Sequence, residues 1–386
     1  MGTTIGAGVY ALIGEIAKTA GYLAPWSFGL AALLALLTAI SFAELSSRYP
    51  RTAGIAFYVE TGFRMPSLAK TTGILAIAAG LVSCGALLNG FVGYLQEFLP
   101  LSRNYIIPGM CIAVCLVACW GIRQSIWVAG CITLIEVGGL FWATTLATNK
   151  ALSSPVDLSI FLPTQNWSMA TMVLSGAVLA FYAYIGFEDM VEVAEEVVDP
   201  KNNLPRAIFI TLAGSTLLYM ALTVSALLAT GPEYLAASSA PLADLFRAVG
   251  STHPGAITVI GLLAIINGVL IQVVMASRIL YGLASRNQMP KFFARLHRQK
   301  QTPVNATVVA SLIVLIVAWF GRIGNLAELT SVIILVIFAL VNSSLYLIES
   351  RKPLDDRRNG LRLSATLGAV TCVGLLFYTV FSWLNQ

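Results

Sequence analysis

Acidic residues follow directly on a glycine in the stretch 180–206, AFYAYIGFEDMVEVAEEVVDPKNNLPR, which is where the sequence could do chemistry. Gly186 stands between aromatic residues at the end of an apolar run, and Glu188, Asp189 and Glu192 come immediately after it. Charge inside an apolar segment is costly and usually marks a pathway or a site. A helix that served only as an apolar support would have no use for these residues.

A second stretch, GTTIGAGVY at 2–10, has the same Ile-Gly pair beside an apolar run. Glycine lets the backbone leave a helix, so a helix restarting near Gly8 would offer unpaired N–H groups that suit a carboxylate. A helix ending within 181–186 would offer free carbonyls that suit an ammonium. Together the stretches predict a site for both ends of an α-amino acid; the alternative is a pair of glycine-mediated helix contacts.

The composition indicates a polytopic membrane protein. The 386 residues are 58% hydrophobic and 11% charged, and the mean hydropathy is +0.82, whereas soluble domains carry about 25% charge. No phosphate-binding loop, zinc-protease or serine-hydrolase signature is present, so neither ATP-driven chemistry nor an enzyme is expected. Both histidines fall in predicted loops, and no metal or cofactor is expected.

Eleven apolar segments are candidates for crossing a bilayer, which takes about 20 residues in a helix. They are 4–20, 25–47, 72–98, 105–121, 126–148, 169–191, 207–230, 256–285, 304–320, 326–348 and 363–384.

The connections between these segments predict the orientation. Eighteen of the 23 Lys and Arg residues fall on one side if the loop after the second segment is cytoplasmic, and basic residues are concentrated in cytoplasmic loops. The N-terminal side is therefore predicted to be cytoplasmic, in the cell membrane. This asymmetry also explains the net charge of +5 without a nucleic-acid partner. The basic residues on the other side are Lys18, Arg103, Lys150, Arg247 and Arg322.

The two glycine-interrupted segments are the first and the sixth, and this spacing predicts an internal repeat. Five spans per unit is an odd number, so the second unit would enter the membrane from the opposite side. The predicted domains are a transporter core at 1–350, with inverted repeats at about 1–148 and 169–350, and a loop with one additional helix at 351–386.

Four stretches carry a resemblance to a known family. They are GTTIGAGVY, AELSSRYPRTAGIAFYV, FYAYIGFEDMVEVAEEVVDPKNNLPRAI and ASRILYGLASRNQMPKFFARLHRQKQTPVNA, and in order and spacing they resemble amino acid permeases of the amino acid–polyamine–organocation superfamily. The resemblance implies an all-α, LeuT-type fold, with a 5+5 inverted repeat and substrate bound between broken helices one and six. Family members usually carry a half-helix before the glycine motif and often a twelfth helix, so the first half-helix is expected to be missing here.

By position, the resemblance assigns substrate contacts to both broken helices, and the glycine argument adds Gly6 and Gly186. Tyr184 and Phe187 are expected to be packing or gating aromatics. The predicted substrate-binding residues are Thr4, Ile5, Gly6, Ala7, Gly8, Phe181, Tyr182, Ala183, Ile185 and Gly186.

Glu136 is an acid in the middle of the fifth segment, where some proton-coupled relatives carry a lysine. Burial disfavours its charged form, so it could take up a proton or hold a cation; the alternative is a glutamate tied to a neighbouring helix. Glu188 could reach a cationic substrate side chain, or it could orient the start of a second half-helix, which is the preferred interpretation.

The expected function is a secondary active transporter that moves amino acids by alternating access, either proton-coupled or as an exchanger. The alternative is a non-transporting sensor or a channel-like protein on the same fold. Some eukaryotic relatives pair by disulfide with a glycoprotein through a cysteine after the third helix. The corresponding loop at 100–105, PLSRNY, has no cysteine, so no such partner is expected.

Overall fold

The computed structural model describes residues 2–50, 54–120, 126–153, 155–162, 167–285, 288–297 and 302–384. The described chain is all-helical. Its α-helices are α1 Gly2–Ile5, α2 Ala7–Ala20, α3 Ala24–Arg48, α4 Gly54–Phe63, α5 Pro66–Gln96, α6 Arg103–Trp120, α7 Ile126–Leu152, α8 Trp167–Tyr184, α9 Pro200–Thr230, α10 Pro232–Ala236, α11 Pro241–Ala248, α12 Pro254–Ser285, α13 Val304–Phe320, α14 Ile323–Ser350 and α15 Asn359–Leu384.

Within the described residues, nine helical segments are long and apolar enough to cross a membrane, and α13 is a shorter apolar helix. One of the nine, Ala7–Arg48, contains both α2 and α3, which a single 3-10 turn separates. Counting these two helices separately and adding α13 gives the eleven segments expected from the sequence. The protein is a multi-pass membrane protein.

Several helices begin earlier than hydropathy alone suggested. Pro66 and Pro200 stand in the first turns of α5 and α9, six or seven residues before the predicted apolar starts. Proline is favoured there because its nitrogen has no hydrogen to leave unpaired and its φ is already helical. The polar first turns of these helices therefore extend beyond the apolar part of each span.

The helices pack around a core in which α5 lies against α12 and α14, and α3 lies against α8 and α9. The two interrupted helices meet directly, since α2 packs along α8. A Cβ on Gly8 would lie 3.0 Å from the Cα of Ala183, so a glycine at this crossing lets the two backbones approach. The two interruptions are thereby brought together near the middle of the bundle.

A buried polar junction attaches α15 to the core. Asn342 of α14 accepts a hydrogen bond from the Ser41 hydroxyl at 2.6 Å and donates one to the Thr38 hydroxyl oxygen at 3.0 Å. The thiol of Cys372 on α15 lies 3.8 Å from the Thr38 hydroxyl. A Cβ on Gly368 would lie within 2.8 Å of the Asn342 amide, so glycine at that position lets α15 approach.

Candidate functional site

Both predicted helix interruptions are present. Gly6 separates α1 from α2, with a φ of −83° and a ψ of −121° that no helix continues through. Helix α8 ends at Tyr184, and Gly186 follows with a φ of +119°, a conformation that is open to glycine and strained for other residues. Each interruption leaves backbone groups without intrahelical partners, as the sequence suggested.

The segment after Gly186 differs from expectation. We predicted the start of a second α-helical half, but Glu188–Glu196 is a 3-10 helix of nine residues. Glu188 and Glu192 would be neighbours four residues apart on an α-helix, where like charges destabilise it. Glu188 instead accepts a hydrogen bond from the Gly186 N–H at 2.8 Å, so its carboxylate caps a backbone donor that the interruption leaves free.

A small cavity, here called the glycine cavity, lies between the two interruptions. Helices α2, α5, α8 and α12 contribute to its wall. The first N–H groups of α2 and the last carbonyls of α8 bring opposite partial charges to this region. Five of the ten predicted binding residues line it: Ala7, Gly8, Tyr182, Ala183 and Ile185.

The other five predicted binding residues lie beside the cavity and not in its wall. Phe181 is fully buried, and its ring packs edge-on to Phe338 of α14 at 5.6 Å. Thr4 is buried with a hydroxyl that has no hydrogen-bond partner among the described residues. Ile5 is likewise buried. Gly6 and Gly186 shape the cavity indirectly, because they let the backbone change direction beside it.

The wall also contains partners that the sequence did not reveal. The hydroxyl of Tyr182 lies 2.8 Å from the hydroxyl of Ser83 on α5. Tyr219 of α9 is fully buried, and its hydroxyl lies 2.5 Å from the carbonyl oxygen of Thr4 and 3.3 Å from that of Ala183. One tyrosine thus contacts a carbonyl just before each interruption.

Tyr184 and Phe187 pack in the core. Tyr184 contacts the rings of Phe28 and Tyr219 at 6.4 and 5.5 Å. Phe187 contacts Phe42 edge-on at 5.7 Å and is fully buried. Both side chains fix the directions in which the chain enters and leaves Gly186.

A second small cavity, here called the acidic cavity, adjoins the first. The two cavities share the wall residues Ser83, Ile185 and Gln272. Three carboxylates line the second cavity: Glu188, Asp189 and Glu192.

Each of these carboxylates has one neutral partner. Glu188 accepts from the Gly186 N–H, as described above. Asp189 accepts from the side-chain amide of Gln272 at 3.3 Å, and Glu192 accepts from the backbone N–H of Ile55 at 3.2 Å. None of the three takes part in an ion pair recorded between described residues. Three carboxyl groups therefore meet in one cavity, and a cation bound there would favour their charged forms.

Glu136 faces the interior of the bundle from α7 and has no exposed surface. Its inward neighbours Leu140, Ala143 and Ala147 follow at helical spacing and are also buried, whereas Leu134 is 73% exposed. The Tyr10 hydroxyl donates to the Glu136 backbone carbonyl at 2.9 Å.

The carboxyl group of Glu136 is poorly satisfied. Neither of its oxygens makes a hydrogen bond of ordinary geometry within the described chain, although the side chain of Asn267 on α12 lies close enough to interact with it. Tyr10 and Tyr219 are among the titratable groups on which its charge acts. A buried carboxylate in this situation must be protonated or bound to a cation.

The end of the bundle that holds α10 and α11 is closed. The Tyr94 hydroxyl donates to the Tyr10 carbonyl at 2.9 Å, and the Leu242 N–H lies 3.4 Å from the same hydroxyl. Arg247 of α11 pairs with Glu97 at the end of α5. Helix α11 is amphipathic, and its apolar face lies against the core.

Fold and site together define a polytopic helical membrane protein with a polar cavity at two paired helix interruptions. A model of the amino acid permease family matches residues 1–386, and the chain belongs to that family.

Among individual relatives, the chain is similar to cationic amino acid transporter 3, mitochondrial, of Arabidopsis thaliana, with 29% identity over 92% of this chain and 61% of the relative. It is 28% identical to human cationic amino acid transporter 4, over 91% of this chain and 58% of the relative. An uncharacterized transporter of Mycobacterium bovis is 28% identical over 98% of this chain and 83% of the relative. The chain thus spans about three-fifths of the plant and human relatives.

Proposed function

We propose that the protein is a secondary active transporter that moves amino acids across the membrane by alternating access. The observation that carries this proposal is the glycine cavity, which lies between both helix interruptions. The free N–H groups at the start of α2 suit the α-carboxylate, and the carbonyls at the end of α8 suit the α-ammonium. The substrate-binding residues proposed for it are the ten residues predicted from the sequence. No catalytic chemistry is proposed.

The proposed architecture is the LeuT-type 5+5 inverted repeat. Its support is that the interruptions fall in the first and the sixth spans. Each interrupted span would then begin a unit that contains four further spans. The repeats would cover about 1–148 and 169–350, and 351–386 would add a loop and α15. The distribution of Lys and Arg supports a cytoplasmic N-terminal side in the cell membrane.

The proposed substrates are amino acids with a cationic side chain. Two observations support this class: the names of the plant and human relatives, and the three carboxylates that line the acidic cavity and form no ion pair with another described residue. A lysine or arginine side chain that extends from the glycine cavity would supply the missing positive charge.

Glu136 is the proposed coupling residue, by uptake and release of a proton as the two halves of the bundle move. Its support is complete burial together with two carboxylate oxygens that lack ordinary hydrogen bonds in the described chain. Transport would then be proton-coupled or an exchange, and no disulfide-linked subunit is part of the proposal.

Counterflow in liposomes tests the proposal. The purified protein is reconstituted, the liposomes are loaded with unlabelled lysine, and the entry of labelled lysine is followed. Saturable entry that depends on the internal lysine supports a carrier. Entry that never saturates would indicate a channel, and specific binding without entry would indicate a sensor; either result would overturn the transport proposal.

A further inference from the structure

The side chain of Gln272 separates the glycine cavity from the acidic cavity. It lines both cavities, together with Ser83 and Ile185. On one side its amide nitrogen donates to Asp189 Oδ2 at 3.3 Å. On the other, its amide oxygen would lie 2.8 Å from a Cβ placed on Gly80, so glycine at that position lets the amide lie against α5 without a shift of the Gln272 side chain.

The hydrogen bond between Gln272 and Asp189 is weak. At 3.3 Å the donor and acceptor are farther apart than in a charge-assisted pair, which is usually 2.7–2.9 Å. An ammonium or guanidinium group would bind the same carboxylate at shorter distance and would add the attraction between opposite charges. The neutral amide is therefore a partner that a cationic side chain can replace.

We propose that Gln272 is a specificity-determining residue whose amide occupies, in the empty site, the place on Asp189 that the terminal cation of a bound side chain takes. Displacement of the amide joins the two cavities, so that a side chain of three or four methylenes passes from the glycine cavity into the acidic one. A short neutral side chain leaves Gln272 in place and uses the glycine cavity alone. This inference rests on the proposed function, because it assumes that an amino acid binds between the helix interruptions.

Charge selectivity would then depend on Asp189 more than on its neighbours. Glu188 is already engaged with the Gly186 N–H at 2.8 Å and supports the helix interruption. Glu192 is held by the Ile55 N–H, farther along the 3-10 helix from the interruption. Asp189 alone among the three is held by a side chain that can rotate away.

The test compares lysine with norleucine, an amino acid of nearly the same shape and without the terminal charge. Equilibrium binding of both is measured on the purified full chain. The wild type is expected to prefer lysine, and Asp189→Asn to reduce that preference about tenfold, the size expected for one hydrogen bond to a charged group. Asp199→Asn is the matched control, because Asp199 is exposed and lies outside both cavities. The substitution replaces a carboxyl group by an amide, as Asp189→Asn does.

Two variants of Gln272 separate its role from that of a mere wall residue. Gln272→Lys places a tethered ammonium beside Asp189, so lysine binding should fall at least tenfold while norleucine binding persists and shows that the protein is folded. Gln272→Met keeps the size and removes the competing donor, so the preference for lysine should persist or increase.

The inference is overturned if wild type, Asp189→Asn and Gln272→Lys share one lysine-to-norleucine ratio, or if Gln272→Met loses the preference. If the wild type binds neither ligand, the proposed function fails and this inference fails with it. Binding of both ligands with an unchanged ratio would remove the inference and leave the proposed function standing.

Discussion

The hydroxyl of Tyr219 lies 2.5 Å from the carbonyl oxygen of Thr4, and the same hydroxyl lies 3.3 Å from the carbonyl of Ala183. Thr4 lies near the end of α1 and Ala183 near the end of α8, so each is close to a helix interruption. A hydroxyl in this position satisfies carbonyls that the interruptions leave without partners. It also occupies space beside the groups that would hold a substrate ammonium.

Tyr219→Phe should lower the melting temperature of the empty protein, because it removes a donor from buried carbonyls. The expected loss is about 1–3 kcal/mol for leaving a buried polar group unsatisfied. The ring contacts with Phe28 and Tyr184, at 5.8 and 5.5 Å, need no hydroxyl and should persist. The stabilisation produced by added lysine should increase, since the substrate ammonium would then replace the lost donor.

Tyr378→Phe is the control for this measurement. It removes a hydroxyl that bonds the Thr171 carbonyl and Ser175 between α15 and α8, away from either cavity wall. Its melting temperature should fall while the shift produced by lysine stays at the wild-type value. If both variants respond alike to lysine, Tyr219 has no connection with the ligand.

Binding should require the α-carboxylate of the substrate. Lysine amide lacks the carboxylate that the start of α2 would hold, and cadaverine lacks the carboxyl group altogether. Each is expected to bind about tenfold more weakly than lysine or worse, the usual scale for a hydrogen bond to a charged group. Competition against labelled lysine measures the difference, and an amide that competes as well as lysine would remove the carboxylate from the proposed site.

Gly6→Leu and Gly186→Leu should each abolish uptake while the protein still reaches the membrane. Gly186 has a φ of +119°, which a leucine adopts only under strain, and at Gly6 a branched side chain would fill the space between the helix ends. Gly214→Leu is the matched control, because a Cβ on Gly214 meets nothing within 4 Å. Uptake at the wild-type rate by either site variant would exclude that glycine from the mechanism.

The sequence predicted the interruptions because glycine reports directly on the backbone. Gly6 and Gly186 stand where the structure leaves the helix, and the number and order of the spanning helices followed from apolar runs about 20 residues long. The sequence did not predict which helix faces meet one another. Helix α9 is apolar around most of its circumference, so nothing in its sequence pointed Tyr219 towards Thr4. Gln272 was visible as a polar residue within a span, but its pairing with Asp189 depends on how α12 packs against α5.

The local sequence predicted the structure of residues 188–196 only in part. Glu188 stands at a helix start, where acids are favoured, and it caps the Gly186 N–H. The preference of acids for a helix start did not predict a 3-10 helix, because repulsion between Glu188 and Glu192 competes with helix propensity over this short stretch. The acidic cavity exists because this segment turns its carboxylates towards α5 and α12.

Coupling provides the last prediction, for which Glu136 is the residue to change. The carboxyl faces Tyr10 from α2, Tyr219 from α9 and Asn267 from α12, none of which carries a positive charge. A carboxylate held this way is stable when protonated and costly when charged, so its proton occupancy should change when the helices around it move. Glu136→Gln keeps the shape and cannot ionise.

Liposomes that contain the Glu136→Gln variant should therefore exchange internal for external lysine, yet fail to accumulate lysine when a pH gradient is imposed. The wild type should accumulate lysine under the same gradient. Asn267→Ala, which removes the neutral neighbour and keeps the carboxyl, should shift the pH dependence of accumulation without abolishing it. Accumulation by Glu136→Gln with the wild-type pH dependence would show that the carboxyl is structural and that the coupling proton binds elsewhere.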